Sequence, residues 1–270
     1  MTFAGLAISN IAWPGEDDVE ALDLVEKAGF TGVELAPAKS FGPWAAIDLG
    51  QVRAHATDLA ARGLKVVALQ GLLFGVPGAK LFGTDEERAT LARHLELVAR
   101  IAGACGGVPC VFGAPGARDP GDLLRETAMD RAAEFFTAAA PHFAAEGAVL
   151  CIEANPVEYQ CRFVTRTTEA YALATRVATR GFGLHIDAGA ILLNGEDPEF
   201  LVQAAPLVVH CHASAPHLMP VAEHAAAYAP LAAALRRAEY NGWVSVEMRT
   251  APDWRGAIRD AGRTMPEAWF

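Results

Sequence analysis

Cysteine is scarce in this sequence and shows no pairing pattern. The five cysteines, Cys105, Cys110, Cys151, Cys161 and Cys211, are odd in number, and none of their spacings is that of a zinc knuckle. A disulfide framework or a cysteine-ligated zinc is not expected, and a reduced, cytoplasmic setting is. Positive charge is short as well: 22 Lys and Arg stand against 32 Asp and Glu, for a formal net charge of −10. Nucleic-acid binding rests on Lys and Arg neutralising phosphates, so this balance argues against a polyanionic partner, although it leaves room for a local pocket that takes one phosphate. No apolar run reaches the roughly 20 residues that span a bilayer, so no membrane partner is expected. The opening MTFAGLAISNIAWPGEDD has no basic segment ahead of its short apolar stretch, and no signal peptide is expected. No GxGxxG follows the first apolar run, which weakens a dinucleotide-binding reading.

What is present is an alternation. Short apolar runs alternate with longer amphipathic stretches over all 270 residues, with no shift in composition to mark a domain boundary. The apolar runs are FAGLAISN, TGVELAP, LKVVALQG, VPCVFGAP, AVLCIEANP, FGLHIDAG, PLVVHCHAS and WVSVEMR. Between them, apolar residues recur at helical spacing. Val19, Leu22, Val25 and Ala28 predict one helix, with Asp17 or Asp18 as cap and Gly29 at its end; Leu49, Val52, Ala56 and Leu59 predict another that stops at Gly63. Thr84 and Glu87 have the spacing of a capping box ahead of Leu91, Leu95, Val98 and Ala102. Further helices are predicted over 121–146, 167–179 and 198–205, around Tyr228, Leu231 and Leu235, and in part of the tail. Almost continuously apolar strands are buried on both faces, as parallel strands are. Eight such strand–helix units predict a single α/β domain over 1–270, a (β/α)8 TIM barrel, with a doubly wound open sheet as the alternative.

Barrel chemistry takes place at the C-terminal ends of the strands. Here those ends carry Ser9 and Asn10, Glu34, Gln70, Arg118 in the loop after the fourth strand, Glu153 and Asn155, His185 and Asp187, His210 and His212, and Glu247 and Arg249. A charge inside an apolar strand is costly unless it is paired, ligated or solvated at a mouth. Taken singly, Glu153 reads equally as a buried partner of Arg249 or Arg118, and His212 as a hydrogen-bonded core histidine. Taken together, Glu153, Asp187, His212 and Glu247 end four consecutive strands, which are neighbours in a closed barrel. Their three carboxylates would repel strongly without a cation. Two Glu, one Asp and one His form a mainly oxygen donor set that suits one divalent ion, Mn²⁺ first, with Mg²⁺ or Co²⁺ as alternatives. His210 lies on the same side of its strand as His212 but at another depth, and His212, nearer the mouth, is the predicted ligand. The Gly/Pro-rich stretches QGLLFGVPGAKLFG and VFGAPGARDP read either as a substrate lid with Arg118 facing an anionic or polyhydroxylated ligand, or as plain surface connections with a solvated arginine.

At these residues the chain resembles the xylose isomerase-like TIM barrel superfamily, the sugar phosphate isomerase/epimerase group that includes ketose 3-epimerases. GFTGVELAP looks like the second strand of that family, and CIEANP, LHIDAGA, VVHCHAS and WVSVEMR look like its fifth to eighth strands. The resemblance implies a sugar or sugar phosphate substrate, a metal held by Glu153, Asp187, His212 and Glu247, and catalysis by Glu153 and Glu247. One glutamate would remove a carbon-bound proton next to the carbonyl and the other would return it through an enediolate. From their side chains, Asn10, Glu34, Gln70 and Asn155 read as groups that bond substrate hydroxyls, with a buried pair to a neighbouring strand an equal reading for Glu34 and an ordinary barrel-mouth residue an alternative for Asn10 and Gln70. Family members often carry a histidine three residues after the strand-six Asp, where this chain has Ala190, and some carry an arginine where it has Leu218. The polar grip on the substrate therefore differs, through His185, His217, Arg118 or Arg249. An inosose-type dehydratase begins with the same proton abstraction and is an alternative, as is a sugar-binding barrel without turnover. An endonuclease IV-type nuclease needs further metal-binding histidines, and DAGA stands where its DxxH motif would be. Relatives are often dimers or tetramers, so a homo-oligomer is an open expectation of the resemblance.

Overall fold

The eight apolar runs pair as parallel strands in the computed structural model, which describes residues 3–270. They are β1 (Gly5–Ser9), β2 (Gly32–Leu35), β3 (Lys65–Leu69), β4 (Pro109–Phe112), β5 (Val149–Ile152), β6 (Phe182–Asp187), β7 (Val208–Ser214) and β8 (Trp243–Glu247). Each pairs with the next, and β8 returns to β1, so the sheet closes on itself. The (β/α)8 TIM barrel read from the alternation is the fold.

The surrounding helices are α1 (Asp18–Lys27), α2 (Pro37–Phe41), α3 (Leu49–Ala61), α4 (Asp85–Ala104), α5 (Arg125–Ala145), α6 (Thr167–Val177), α7 (Ala188–Asn194), α8 (Phe200–Ala204), α9 (Ala225–Arg237) and α10 (Trp254–Trp269). Among the described residues, no helix is long and apolar enough to cross a membrane. The capping box of α4 forms: Thr84 Oγ1 accepts from the Glu87 amide, and Glu87 Oε2 accepts from the Thr84 amide at 2.8 Å. α1 departs from the expected face. Val19 is 70% exposed, while Ala21, Leu22 and Val25 are buried, because a strict three-residue step drifts off a stripe that recurs every 3.6 residues. Asp17 stands at the cap without a side-chain bond, and Asp18 instead accepts from the Trp13 indole at 2.8 Å. The short helices α2 and α7 were not legible in the pattern. α7 follows β6 without a loop because Asp187 caps it, accepting from the Ala190 amide at 2.6 Å.

The two ends of the barrel differ in chemistry. At the N-terminal end Trp243 closes the interior, so close to Gly5 and Gly32 that a Cβ on either would lie within 3.0 Å of its ring. Ala7, Val67 and Ala68 pack against the same indole. Toward the other end the interior turns polar in layers set by register. His185 is level with His210, Asp187 with His212, and Ser214 with Glu247. A register shift between Leu184 and His185 brings β6 into step with β7. Residues two apart on one strand share a side of the sheet, so the His185–His210 layer lies beneath the Asp187–His212 layer.

Candidate active site

Four predicted ligands converge at the C-terminal mouth. Glu153 follows β5, Asp187 ends β6, His212 lies on β7 and Glu247 ends β8. All four line one cavity of about 640 Å³, together with Gln70 and Asn155. His212 is fully buried. Its Nδ1 lies 3.1 Å from Glu247 Oε2 and 3.8 Å from both Glu153 Oε1 and Asp187 Oδ2, without hydrogen-bonding geometry to any of them. Its Nε2 faces the other way, 2.9 and 3.0 Å from the two oxygens of Glu34. Glu34 is fully buried and also lies 3.4 Å from His210 Nε2. It does not line the cavity, and its two oxygens hold the His212 ring. A carboxylate behind a histidine fixes the tautomer and presents the opposite nitrogen to a metal.

Glu153 and Asp187 are each fixed by their own supports. Asn155 donates to Glu153 Oε2 at 2.8 Å and accepts from Arg118 Nη2 at 2.6 Å. Arg118 Nη1 donates to the Glu153 carbonyl oxygen at 2.7 Å. Gly113, after β4, leaves room for that carboxylate: a Cβ there would meet Glu153 Oε2 at 2.3 Å. Ser214 donates to Asp187 Oδ2 at 2.5 Å and accepts from the Gly189 amide at 2.8 Å.

The electrostatics follow from burying like charges together. Burial, then the charges of Asp187 and Glu247, push Glu153 up to about 8. Burial and the Glu247 charge push Asp187 up to about 6. Burial on its own would lower His212, but Glu34 and Glu247 outweigh it and hold the imidazole well above its ordinary value. Burial would raise Glu34, and the facing His212 and His210 hold it well below the usual carboxylate range. Three carboxylates around one bare imidazole nitrogen form an oxygen-rich set of the kind that takes a divalent cation. Ligand atoms of Glu153, His185, Asp187 and His212 lie within 4.8 Å of one another, and Glu247 joins them through His212.

Several residues expected to grip substrate are placed elsewhere. Arg118 is neither solvated nor facing a ligand; it is fully buried, turned inward behind Glu153 by a 3-10 turn that starts from left-handed Ala114. His185 lies in the deeper layer with neither ring nitrogen hydrogen-bonded, and Nε2 is 3.6 Å from Glu153 Oε1. Burial, then His212 and His210, hold it well below its ordinary value, so it is neutral. Asn10 accepts from the Ala36 amide and donates to Ser40, tying the end of β1 to α2. His217 is exposed; its amide donates to Tyr159 Oη at 2.7 Å. Arg249 is exposed, with Nη2 3.3 Å from Met219 Sδ. Gln70 reaches the cavity and donates to Ser9 Oγ at 2.5 Å. Tyr159, to which the sequence assigned no role, also lines the cavity. Ser214 was detectable as the next inward position after His212, while Gly113 left no trace beyond lying in a Gly/Pro-rich stretch.

The model of the xylose isomerase-like TIM barrel family matches residues 22–268. No curated protein is significantly similar to the chain in sequence. Among solved structures, 3-keto-D-glucoside 4-epimerase from E. coli superposes with a TM-score of 0.80 at 19% identity, covering 97% of this chain and 99% of its own. D-allulose 3-epimerase from Methylomonas sp., in complex with D-allulose, superposes with a TM-score of 0.78 at 18% identity, covering 100% and 99%. An AP endonuclease, family 2, from Brucella melitensis has a TM-score of 0.75 at 19% identity, covering 96% and 98%. At such identities the likeness is one of fold.

Proposed function

The chain belongs to the xylose isomerase-like TIM barrel family, and from that membership we propose that it is a divalent-metal-dependent sugar epimerase or isomerase. The observation that carries the reading is His212 Nδ1, buried and unbonded among the carboxylates of Glu153, Asp187 and Glu247. The epimerases of similar fold act on D-allulose and a 3-keto-D-glucoside by name, which supports a hydroxy-carbonyl substrate.

Glu153, Asp187, His212 and Glu247 would hold the ion, Mn²⁺ first, with Mg²⁺ or Co²⁺ as alternatives. Bound there, it supplies Lewis-acid polarisation of a substrate carbonyl, which acidifies the neighbouring C–H. The remaining steps belong to the chain. Glu153 and Glu247 enter the cavity from β5 and β8, and a substrate lying between them turns one face to each. One carboxylate takes the proton from carbon and the other delivers a proton to the opposite face, or to the adjacent carbon in an isomerisation. Asn155 occupies Glu153 Oε2 and leaves Oε1 for this task. Gln70 and Tyr159 stand at the cavity wall as groups that bond substrate oxygens.

The test is metal content together with proton exchange from solvent into a ketose panel with Mn²⁺, for the parent chain and for Glu153→Gln and Glu247→Gln. About one ion per chain, with exchange abolished in both variants, is the expected result. A protein that takes up no Mn²⁺ or Mg²⁺ in excess is not this enzyme.

A further inference from the structure

The cavity wall differs from its floor. The carboxylates and His212 occupy the floor, with Gln70, Asn155 and Tyr159 as the nearby polar side chains. Above them the wall is built by Leu72, Phe74 and Val76 from the loop after β3, Pro115 from the loop after β4, and Leu218 from the loop after β7. Lys80 is the one Lys or Arg of the lining among the described residues, and its ammonium is paired with Glu87 Oε1 at 3.0 Å. Three other cations near the mouth are engaged or turned away: Lys39 donates to the Asn10 and Trp13 carbonyl oxygens, Arg118 is buried behind Glu153, and Arg249 is exposed against Met219.

This lining can satisfy a short polar head and little beyond it. A free ketose carries a hydroxyl on nearly every carbon, and a hydroxyl buried against leucine and phenylalanine loses water without gaining a partner. A phosphate is gripped most strongly by a free cation, and among the described residues the wall presents no Lys or Arg without an acidic partner. Phe74 adds an independent observation. It lines the cavity and yet is 79% exposed, while its carbonyl accepts from the Trp44 indole at 2.8 Å. The backbone of this loop is tethered and the ring stands free at the rim, beside a mouth where an apolar group would cover it.

We infer that the substrate of this site is a hydroxy-carbonyl compound bearing an apolar aryl or alkyl substituent beyond its reacting head, rather than a free or phosphorylated sugar. The inference rests on the metal-dependent epimerase or isomerase reading and names its substrate class. Calorimetry on Mn²⁺-loaded protein would compare dihydroxyacetone, dihydroxyacetone phosphate, D-allulose and 1-hydroxy-4-phenylbutan-2-one. The phenyl ligand is expected to bind about tenfold or more tighter than each of the others, the gain of burying one aromatic ring. That advantage should shrink in Phe74→Ser and in Leu218→Asn. Phe74 is exposed, and Leu218 sits at φ +53, a left-handed conformation that Asn adopts readily, so both variants should fold. D-allulose or the phosphate binding as tightly as the phenyl ligand would overturn the inference, as would an advantage untouched in both variants. Metal-dependent exchange of solvent deuterium into dihydroxyacetone, which has a head and no tail, tests the parent reading separately. Its failure with the phenyl preference intact would refute the metal chemistry and not the apolar wall.

Discussion

His212 joins two buried shells through one ring. Nε2 is held by Glu34 and Nδ1 faces three carboxylates, so its protonation state sets the charge of the site. In the metal-free chain the shifts define a pH window. Glu153 has an ordinary value of 4.5 and is raised to about 8, so the folded state keeps a proton that the unfolded chain has already released. The stability tied to that proton is complete below about 4.5 and is lost as pH rises through about 8. Asp187, raised from 3.8 to about 6, acts in the same direction. Glu34, held low, is ionised throughout the window and adds no slope. His185, held low, opposes this below about 6.5, and His212, held high, adds to it above, so the melting temperature of chelator-treated protein should fall from about pH 6.5 to pH 8, while Mn²⁺ affinity rises as the candidate ligands shed protons. Glu153→Gln should make the melting profile shallower toward pH 8, leaving the shares of Asp187 and His212, and an unchanged slope in that variant would assign the effect to other groups. The convergence of Glu153, Asp187, His212 and Glu247 was readable because a polar group ending an apolar strand has few structural uses. His185 lies a layer below Asp187, a depth that the period-two argument ranking His212 over His210 also sets. Arg118 was unreadable for another reason: its direction depends on left-handed Ala114 at φ 45, which no residue pattern announces.

Asp187 and Glu153 are aimed by the turn that follows their own strand or a neighbouring one. β6 runs straight into α7, and Asp187 serves that helix as its cap while offering its other oxygen to Ser214. This double duty explains why α7 escaped the periodicity: seven residues, AGAILLN, are too short for a stripe. The end of β4 works by what is missing. Gly113 sits beside Glu153 Oε2, and a methyl group would force that oxygen to move. The obstacle is the end of a flexible side chain, so the fold itself should absorb the change. Gly113→Ala is expected to melt within about 0.5 kcal/mol of the parent chain, in the range of an unobtrusive substitution. Its Mn²⁺ affinity should fall about tenfold or more, because a ligand displaced by a fraction of an ångström no longer fits the set. Metal titration alongside thermal melting separates the two effects, and loss of stability with intact affinity would show that Gly113 serves the backbone and not the site.

On the scale of the molecule, the barrel divides its labour by strand. β5 to β8 present the candidate ligands, the loops after β3 and β4 raise most of the apolar wall, and Trp243 seals the far end. The closed order of strands was legible from the count of apolar runs, because a parallel sheet of eight βα units has few ways to end. The division between halves was not, since it depends on which way the long loops fold over the mouth. It has a thermodynamic consequence. An ion held by the ends of four neighbouring strands would bind only the folded barrel, so it should stabilise the whole chain by mass action, about 2.7 kcal/mol at a free concentration one hundred times Kd. For a chain of this size that corresponds to roughly 5–10 °C in melting temperature. A chelator should reverse the gain, and Asp187→Asn should abolish it. The same variant removes one of three crowded carboxylates, so its metal-free form should melt no lower than the metal-free parent, unless the lost acceptor for Ser214 and Ala190 outweighs the relieved repulsion. Glu153→Gln, which keeps Asp187 and its two hydrogen bonds, distinguishes these cases by calorimetry. The chain carries 32 acidic residues, so ions also collect on its surface. A melting shift of equal size in the parent and both variants would place the ion there and remove the metal from the site.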